Sequence, residues 1–373
     1  MTEDNLKLTI PIGALDKPYK ELTINIERDG YSFPIKDIHH VLTEATTFSD
    51  DSLKIPLTTE QLINQLEEMH EVTFTADERV HAAEDLDAIN YYRISAFRRK
   101  DMLKGHMSYT ELITLYQFDR YLRESLSRLT PAIEVYLKTS LARFISTNYD
   151  KYKSEDSVYT GGQAYLDENI YKTKRSSQID VKRMLSMFAE SLTGKIAKDN
   201  MIRHHVIKYG GKIPIWVLFE EITFGQFSKF VSLLRHDLLK DWCSEVLPSV
   251  PTVPTSSGIN SWITAVQILR NTTAHSSKIY GQSLPYNPKF LDEDIQLLEG
   301  IENKSEATEK FQNTFFSGLL AMKKFYQDLR TSDLESWNSF LCKIDNKVKS
   351  SEVIDIEKLG FPSEWYTVLR ISN

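Results

Sequence analysis

The sequence predicts an all-α fold with a small β-leaning N-terminal extension, and three observations carry that expectation. From Leu57 onward, apolar residues recur at the three- and four-residue spacing of helix faces over most of the 373-residue chain. Before that point, LKLTIPIGALDKPYKELTINIERDGYSFPI alternates short apolar runs around a proline-interrupted middle and the turn Asp29-Gly30. No self-similarity is apparent at the usual solenoid periods; the length allows two or three average domains and equally one large helical domain with appendages.

The elements follow in order. Residues 1–54 read as an extension: two or three short strands, or an irregular β-rich arm, up to about Pro34, a short helix over Ile35–Leu42, and a polar linker over Thr46–Lys54. Residues 55–373 read as the helical domain. Thr58 or Thr59 caps a helix starting at Glu60, with Leu62, Ile63 and Leu66 on its apolar side. A second helical stretch runs from Ala76 through Ile94. The longest pattern spans Thr110 to Thr147 and contains Pro131, which calls for two helices in close succession or one helix kinked there. Further helices are expected over Ile179–Leu192, over Asn200–Tyr209 stopped by Gly210-Gly211, and over Ile215–Leu234 with an interruption near Gly225. PSVPTVPTSSG, Pro248–Gly258, cannot be regular helix because its prolines remove donors and fix φ. It insulates a helix over roughly Ile259–Ser276. After a loop with Pro285 and Pro288 come helices near Ser305–Leu329 and Leu334–Ile344, then an ending that packs Phe361, Trp365 and Leu369.

Composition narrows the function classes. Hydrophobic residues at 41% and aromatics at 11% suffice for a sizeable core and exclude global disorder. Two cysteines, Cys243 and Cys342, cannot make a disulfide framework, and MTEDNLKLTI lacks the basic start and apolar run of a signal peptide. Without an apolar stretch near the eighteen or so residues needed to span a bilayer, a soluble cytoplasmic protein without a membrane partner is expected. The net charge of −7 hides an asymmetry. Between Ile170 and Ile213 stand ten Lys/Arg against three acids: Lys172, Lys174, Arg175, Lys182, Arg183, Lys195, Lys198, Arg203, Lys208 and Lys212. The first 75 residues carry fourteen acids against six bases. A basic block on an acidic protein suits a phosphate backbone, and it equally suits a solvated face. Lys278 joins the same candidate RNA-binding set.

The chemistry-bearing stretch is ILRNTTAH, Ile268–His275. One stripe of its helix is Trp262, Ile263, Val266 and Leu269; a second is Ile268, Asn271, Thr272 and His275. A helix apolar on more than one side is central in a bundle. Asn271 and His275 share a face, whereas Arg270 and His275 lie about 140° apart around the axis. A second copy of the helix is one way to bring the missing partner. Histidine can take a proton from a ribose 2′-hydroxyl or give one to a leaving 5′-oxygen. Arginine can grip a phosphate bidentately, and asparagine can orient either. That set suffices for metal-free RNA cleavage with no cofactor, leaving a 2′,3′-cyclic phosphate. From spacing alone, a structural polar cluster explains the same residues.

Several motifs resemble one family. ILRNTTAH resembles the R-N-x-x-x-H signature of HEPN ribonucleases. LTTEQLINQLEEM, AINYYRISAF, YQFDRYLRESL, IPIWVLFEEITFGQFSKFVSLL and LGFPSEWYTVL are similar, in order, to the motifs of the Abi-like abortive-infection family of the AbiD/AbiF type, from about Leu57 to Leu369. The resemblance implies a HEPN-type helical bundle with additional helices. It also implies an antiphage toxin-like endoribonuclease, with Arg270, Asn271 and His275 at a catalytic site shared in a homodimer or higher oligomer, and silencing by an antitoxin RNA. A non-catalytic RNA-binding or signalling module and a protein-contact adaptor are its rivals. Two departures matter. Lys138 stands in IEVYLKTSLA where relatives carry an arginine, losing the fork that clamps a carboxylate or phosphate. Ser276 replaces a second histidine.

Other constellations read as structural. Adjacent His204 and His205 point to different faces and lack further ligands at metal spacing. Tyr91, Tyr92, Tyr116 and Phe118 read as core, Glu220-Glu221 as an anchor for a neighbour, and Asp119 with Arg123 as an intrahelical ion pair. Arg99 and His106 repeat the motif loosely across Gly105, without a buried helix around them.

Overall fold

The computed structural model describes residues 7–9, 24–28, 31–35, 56–98, 106–249 and 256–372. The expected helix over Ile35–Leu42, the linker over Thr46–Lys54, Arg99 and most of the proline run lie outside these residues. The chain divides into two compact units, Met1–Tyr92 with Lys104–His106, and Arg93–Leu103 with Met107–Asn373.

In the first unit, β1 (Lys7–Thr9), β2 (Ile24–Arg28) and β3 (Tyr31–Ile35) form an antiparallel sheet in that order, with Leu8 opposite Ile26 and Ile26 opposite Phe33. The expected N-terminal strands are therefore present. Helices α1 (Thr59–His70) and α2 (Ala76–Ala88) follow, each started by a capping box: Thr58 with Gln61 and Thr75 with Glu78. They bury Ile63, Leu66, Ala82 and Leu86. The expected helix to Ile94 breaks after Ala88, and Asn90 restarts it by accepting from the Tyr92 amide at 2.9 Å. The result is the short helix α3 (Tyr91–Ser95).

The second unit is organised around α4 (Tyr109–Asn148), a single helix of 40 residues that runs through Pro131. Pro131 removes one amide donor, and the Thr130 hydroxyl donates to the Leu126 carbonyl one position earlier at 2.9 Å. Helices α5 (Arg175–Thr193) and α6 (Asn200–Tyr209) carry the basic block, and Gly210 and Gly211, at φ 60° and 79°, stop α6 as expected. The stretch 215–234 divides into α7 (Ile215–Glu221) and α8 (Phe224–Leu233), because Thr223 and Gln226 form a capping box at the break. A helix absent from the sequence-based expectation, α9 (His236–Val246), buries Leu238, Leu239, Trp242, Cys243 and Val246 at helical spacing.

Helix α10 (Ser256–Ala274) sits at the centre, packed against α4, α8, α9 and α13. The anticipated stripe Trp262, Ile263, Val266 and Leu269 is fully buried. Beyond it lie α11 (Asp292–Ile295), α12 (Lys304–Phe311), α13 (Phe315–Tyr326), α14 (Thr331–Lys349) and α15 (Trp365–Leu369). The single helix expected over Ser305–Leu329 is two, because Asn313 takes a left-handed turn at φ 58°, held by Asn287 accepting from its amide at 2.7 Å. Phe361, Trp365 and Leu369 pack into the core as read from the sequence. The fold class is all-α with a small N-terminal β element. Among the described residues, no helix is long and apolar enough to cross a membrane.

One buried ion pair braces the centre. Lys324, on α13, donates to both Asp294 oxygens at 2.6 and 2.8 Å and lies 5.1 Å from the Trp262 ring centre. Removing one partner leaves an unpaired buried charge. Asp294→Ala is therefore expected to cost about 3–5 kcal/mol in urea denaturation, and the apolar double exchange Asp294→Leu with Lys324→Met considerably less. Equal losses for the two variants would show that packing, not the charge, sets the cost.

Candidate active site

The motif helix ends in a way that its sequence explains. Ser276 adopts the left-handed conformation at φ 51°. The Ser277 amide reaches back to the Thr272 carbonyl at 2.9 Å and the Ser276 amide to Thr273 at 3.0 Å. This is a Schellman closure with His275 as its C-cap. Thr272 and Thr273 donate their hydroxyls to the carbonyls of Ile268 and Arg270. Polar side chains in the last turn are thus turned onto their own backbone, and Ala274 to Ser277 are exposed.

The turn after His275 is held from three directions. Asp119, 1% exposed on α4, accepts from the Ile279 and Tyr280 amides through Oδ1 at 2.7 and 2.8 Å. Its Oδ2 accepts from Arg123 Nε at 2.9 Å. The ion pair expected within the helix is real, and its larger task lies outside the helix. Arg93 donates to the Ser276 carbonyl at 2.9 Å. Lys278 donates to the Ala96 carbonyl at 2.7 Å, its ammonium 4.4 Å from the Phe97 ring centre. The Tyr280 hydroxyl donates to the Asp355 carbonyl at 3.1 Å and accepts from its amide at 3.0 Å. Burial pushes that phenol up to about 12, so it stays a donor.

On the other side of the helix, Arg270 is 43% exposed and loosely held. Its Nη1 lies 3.4 Å from Asn271 Oδ1, and its Nε lies 3.9 Å from Glu134 Oε2. Asn271 therefore stands beside the guanidinium. Glu134 is fixed by Lys138, which donates to Glu134 Oε1 at 2.8 Å and to the Ile222 carbonyl at 2.7 Å. The lysine that replaces an arginine there does clamp a carboxylate. A single point donor suffices because Glu134 and Lys138 are four apart on one helix. Glu134 was not singled out from the sequence; its only signal was the IEVYLKTSLA motif itself.

His275 lies exposed, and among the described residues its imidazole makes no hydrogen bond or ion pair. No hydrogen bond joins it to Arg270. A guanidinium with two weak neighbours, in the last turns of α10, and an uncommitted imidazole at its C-cap stand beside a turn held by Asp119, Arg93 and Tyr280. Such a pair can meet a phosphate and a hydroxyl, since exposed ion pairs near 4 Å are worth at most about 1 kcal/mol and are readily exchanged.

The other candidate residues scatter. Lys172 donates to the Ser232 carbonyl at 2.6 Å, and burial pulls its ammonium below the usual value. Lys195 pairs with Glu221 at 2.6 Å, which makes Glu221 the anchor expected of the Glu220-Glu221 pair, while Glu220 stays exposed. Arg203 donates to the carbonyls of Ile196 and Ala197. Lys174, Arg175, Lys182, Arg183, Lys198, Lys208 and Lys212 remain exposed on or beside α5 and α6. Lys278 braces the turn. His204 and His205 do not diverge: their rings lie 5.7 Å apart, and both lie against Tyr209. Tyr91 and Phe118 are core as expected, and Tyr92, 63% exposed, is not.

A helical protein whose central helix presents an arginine and a histidine on a braced turn is the class that the fold and site define. The chain matches the family described as Abi-like protein over residues 84–281, more than half its length, and it belongs to that family. Membership points to abortive infection, a defence against phage. Arg93, Asp119, Glu134, Lys138, Arg270, His275 and Tyr280 all fall in the matched region; the opening helix and the LGFPSEWYTVL ending lie outside it. No curated protein and no solved structure gives a significant match.

Asp119→Ala removes one acceptor serving three donors. It is expected to cost about 3–5 kcal/mol and to speed hydrogen exchange at the Ile279 and Tyr280 amides. Ser276→Gly relieves the left-handed strain, with an expected gain of up to about 1 kcal/mol in thermal or urea unfolding.

Proposed function

We propose that this chain is a HEPN-type endoribonuclease acting in abortive infection, cutting RNA by internal attack without a metal. The observation that carries the reading is the contrast at one turn: Asp119, Arg93 and Tyr280 are spent on rigidity, while Arg270 and His275 keep their polar atoms exposed. His275 takes the proton of a ribose 2′-hydroxyl, and the freed oxygen attacks the adjacent phosphorus. The bond to the 5′-oxygen breaks, that oxygen regains a proton from an imidazolium, and a 2′,3′-cyclic phosphate remains. Arg270 holds the nonbridging oxygens and stabilises their growing charge, and Asn271 keeps the guanidinium oriented.

Residues five apart on one helix diverge by about 140°, so the site is completed by a second copy. The exposed Ala274–Ser277 end leaves room for that partner. A free nuclease would harm its host, so an antitoxin RNA silences it. The exposed cations from Lys174 to Lys212 supply a surface for that RNA.

The test is direct. His275→Ala and Arg270→Ala are each expected to slow cleavage of a defined RNA by about a hundredfold or more, to end toxicity on expression, and to leave the melting temperature unchanged. EDTA is expected to leave the rate intact. Mixing the two dead variants restores part of the activity if one site draws Arg270 and His275 from different copies. Equal toxicity of wild type and His275→Ala, with intact RNA in both, overturns the nuclease and leaves the RNA-binding or adaptor roles.

A further inference from the structure

A cavity of about 320 Å³ opens beside Lys138. Its walls are one face of α4, with Lys138, Thr139, Arg143, Ser146 and Thr147, and Trp216, Phe219 and Glu220 of α7. Trp216 is the unusual member. Four of the chain's five tryptophans are buried, whereas Trp216 is 52% exposed. A large aromatic face left to water is uncommon unless something covers it.

The ring edge lies close to Gly162. A Cβ on Gly162 would come within 3.1 Å of the Trp216 ring edge and within 3.4 Å of Pro214. Gly161 presses closer still, since a Cβ there would overlap the Ser146 carbonyl of α4. Gly162 therefore lets the ring edge of Trp216 lie against backbone, while Gly161 packs on α4.

Charge says what fits that face. Lys138 is already spent on Glu134 and on the Ile222 carbonyl. Arg143 is exposed, and among the described residues it makes no salt bridge or side-chain hydrogen bond. Glu220 at the same cavity repels a free anion but accepts from the amino or imino groups of a base. An aromatic face, one unpaired arginine and one acceptor suit a nucleotide: base on the ring, phosphate on Arg143. The same helix carries Glu134, which faces Arg270, nine residues before Arg143. That is about 13 Å of helix rise and about half a turn around the axis, and Lys138, which bonds Glu134 and lines the cavity, joins the two places.

We infer that Trp216 and Arg143 form a single-stranded RNA subsite that stacks a base a few nucleotides from the phosphate held at Arg270. This rests on the ribonuclease reading of Arg270 and His275. In it, Trp216 and Arg143 are positioning residues that anchor the strand so that one phosphodiester reaches the braced turn.

Because the other tryptophans are buried, quenching by a stacked base falls on this ring, and Trp216→Leu supplies the background from the other four. The probe is a short single-stranded oligoribonucleotide added to the full-length His275→Ala protein, with binding followed separately by anisotropy of an end label. Quenching on binding is expected, with little quenching from an abasic strand of equal phosphate number. Trp216→Leu in the cleaving enzyme is expected to raise KM about tenfold or more while kcat changes little. Trp216→Phe, which keeps a flat face and the fold, recovers part of that loss. Arg143→Gln weakens binding and lowers the salt dependence by about one phosphate contact. Binding without quenching, or an unchanged KM in Trp216→Leu, overturns the subsite even if RNA is cut. Absence of binding overturns it as well. Quenching by RNA that the wild type never cleaves overturns the nuclease and leaves the subsite standing.

Discussion

Asp119 is a carboxylate with 1% of its surface exposed, and its two oxygens serve three donors on two chain segments. Burying a charge is costly unless every lone pair that leaves water finds a partner. Here Arg123 neutralises it within α4, and the Ile279 and Tyr280 amides complete its shell. Those amides belong to the turn that follows His275. A flexible loop would let the imidazole wander, and a wandering base is of little use to any reaction or binding event. The carboxylate therefore ties the longest helix of the chain to the one turn on which the polar motif stands.

Other contacts repeat that logic. Arg93 of α3 and Lys278 of the motif turn cross in opposite directions, Arg93 donating to the Ser276 carbonyl and Lys278 to the Ala96 carbonyl just after α3. Tyr280 closes the far side on Asp355. On the arginine face, Lys138 fixes Glu134 so that Glu134 can sit near Arg270 without gripping it. The result is a graded arrangement: buried groups saturated with partners, then Glu134, then two exposed residues with unused hydrogen-bonding capacity.

Much of the helical frame was legible because it rests on local rules. The stop at Gly210-Gly211, the buried stripe of α10 and the packed ending all follow from periodicity and turn chemistry. Boundaries failed where a side chain supplied a cap inside an apolar run. Asn287 with Asn313 split a helix expected to be single, whereas Thr223 with Gln226 form the interruption expected near Gly225. The helix His236–Val246 was readable from Leu238, Leu239, Trp242, Cys243 and Val246, and went unassigned in the shadow of the proline run beside it. In the basic block the lysines and arginines were countable, but not which of them were spent. Lys172 and Lys195 reach a carbonyl and a carboxylate of other helices, and Arg203 reaches carbonyls of the turn before its own helix.

By itself, then, the sequence determined the helical class, the motif Arg270, Asn271 and His275, and the order of motifs that places the chain in the Abi-like family. These depend on spacing along one element, where 3.6 residues per turn dictate which side chains share a face. Only the tertiary structure decided that Asp119 holds the turn after His275, that Glu134 is the residue facing Arg270, and that Trp216 stands open over Gly162. Each of those joins residues from 54 to 160 positions apart. Their meeting is set by how helices cross, and local periodicity carries no record of the crossing.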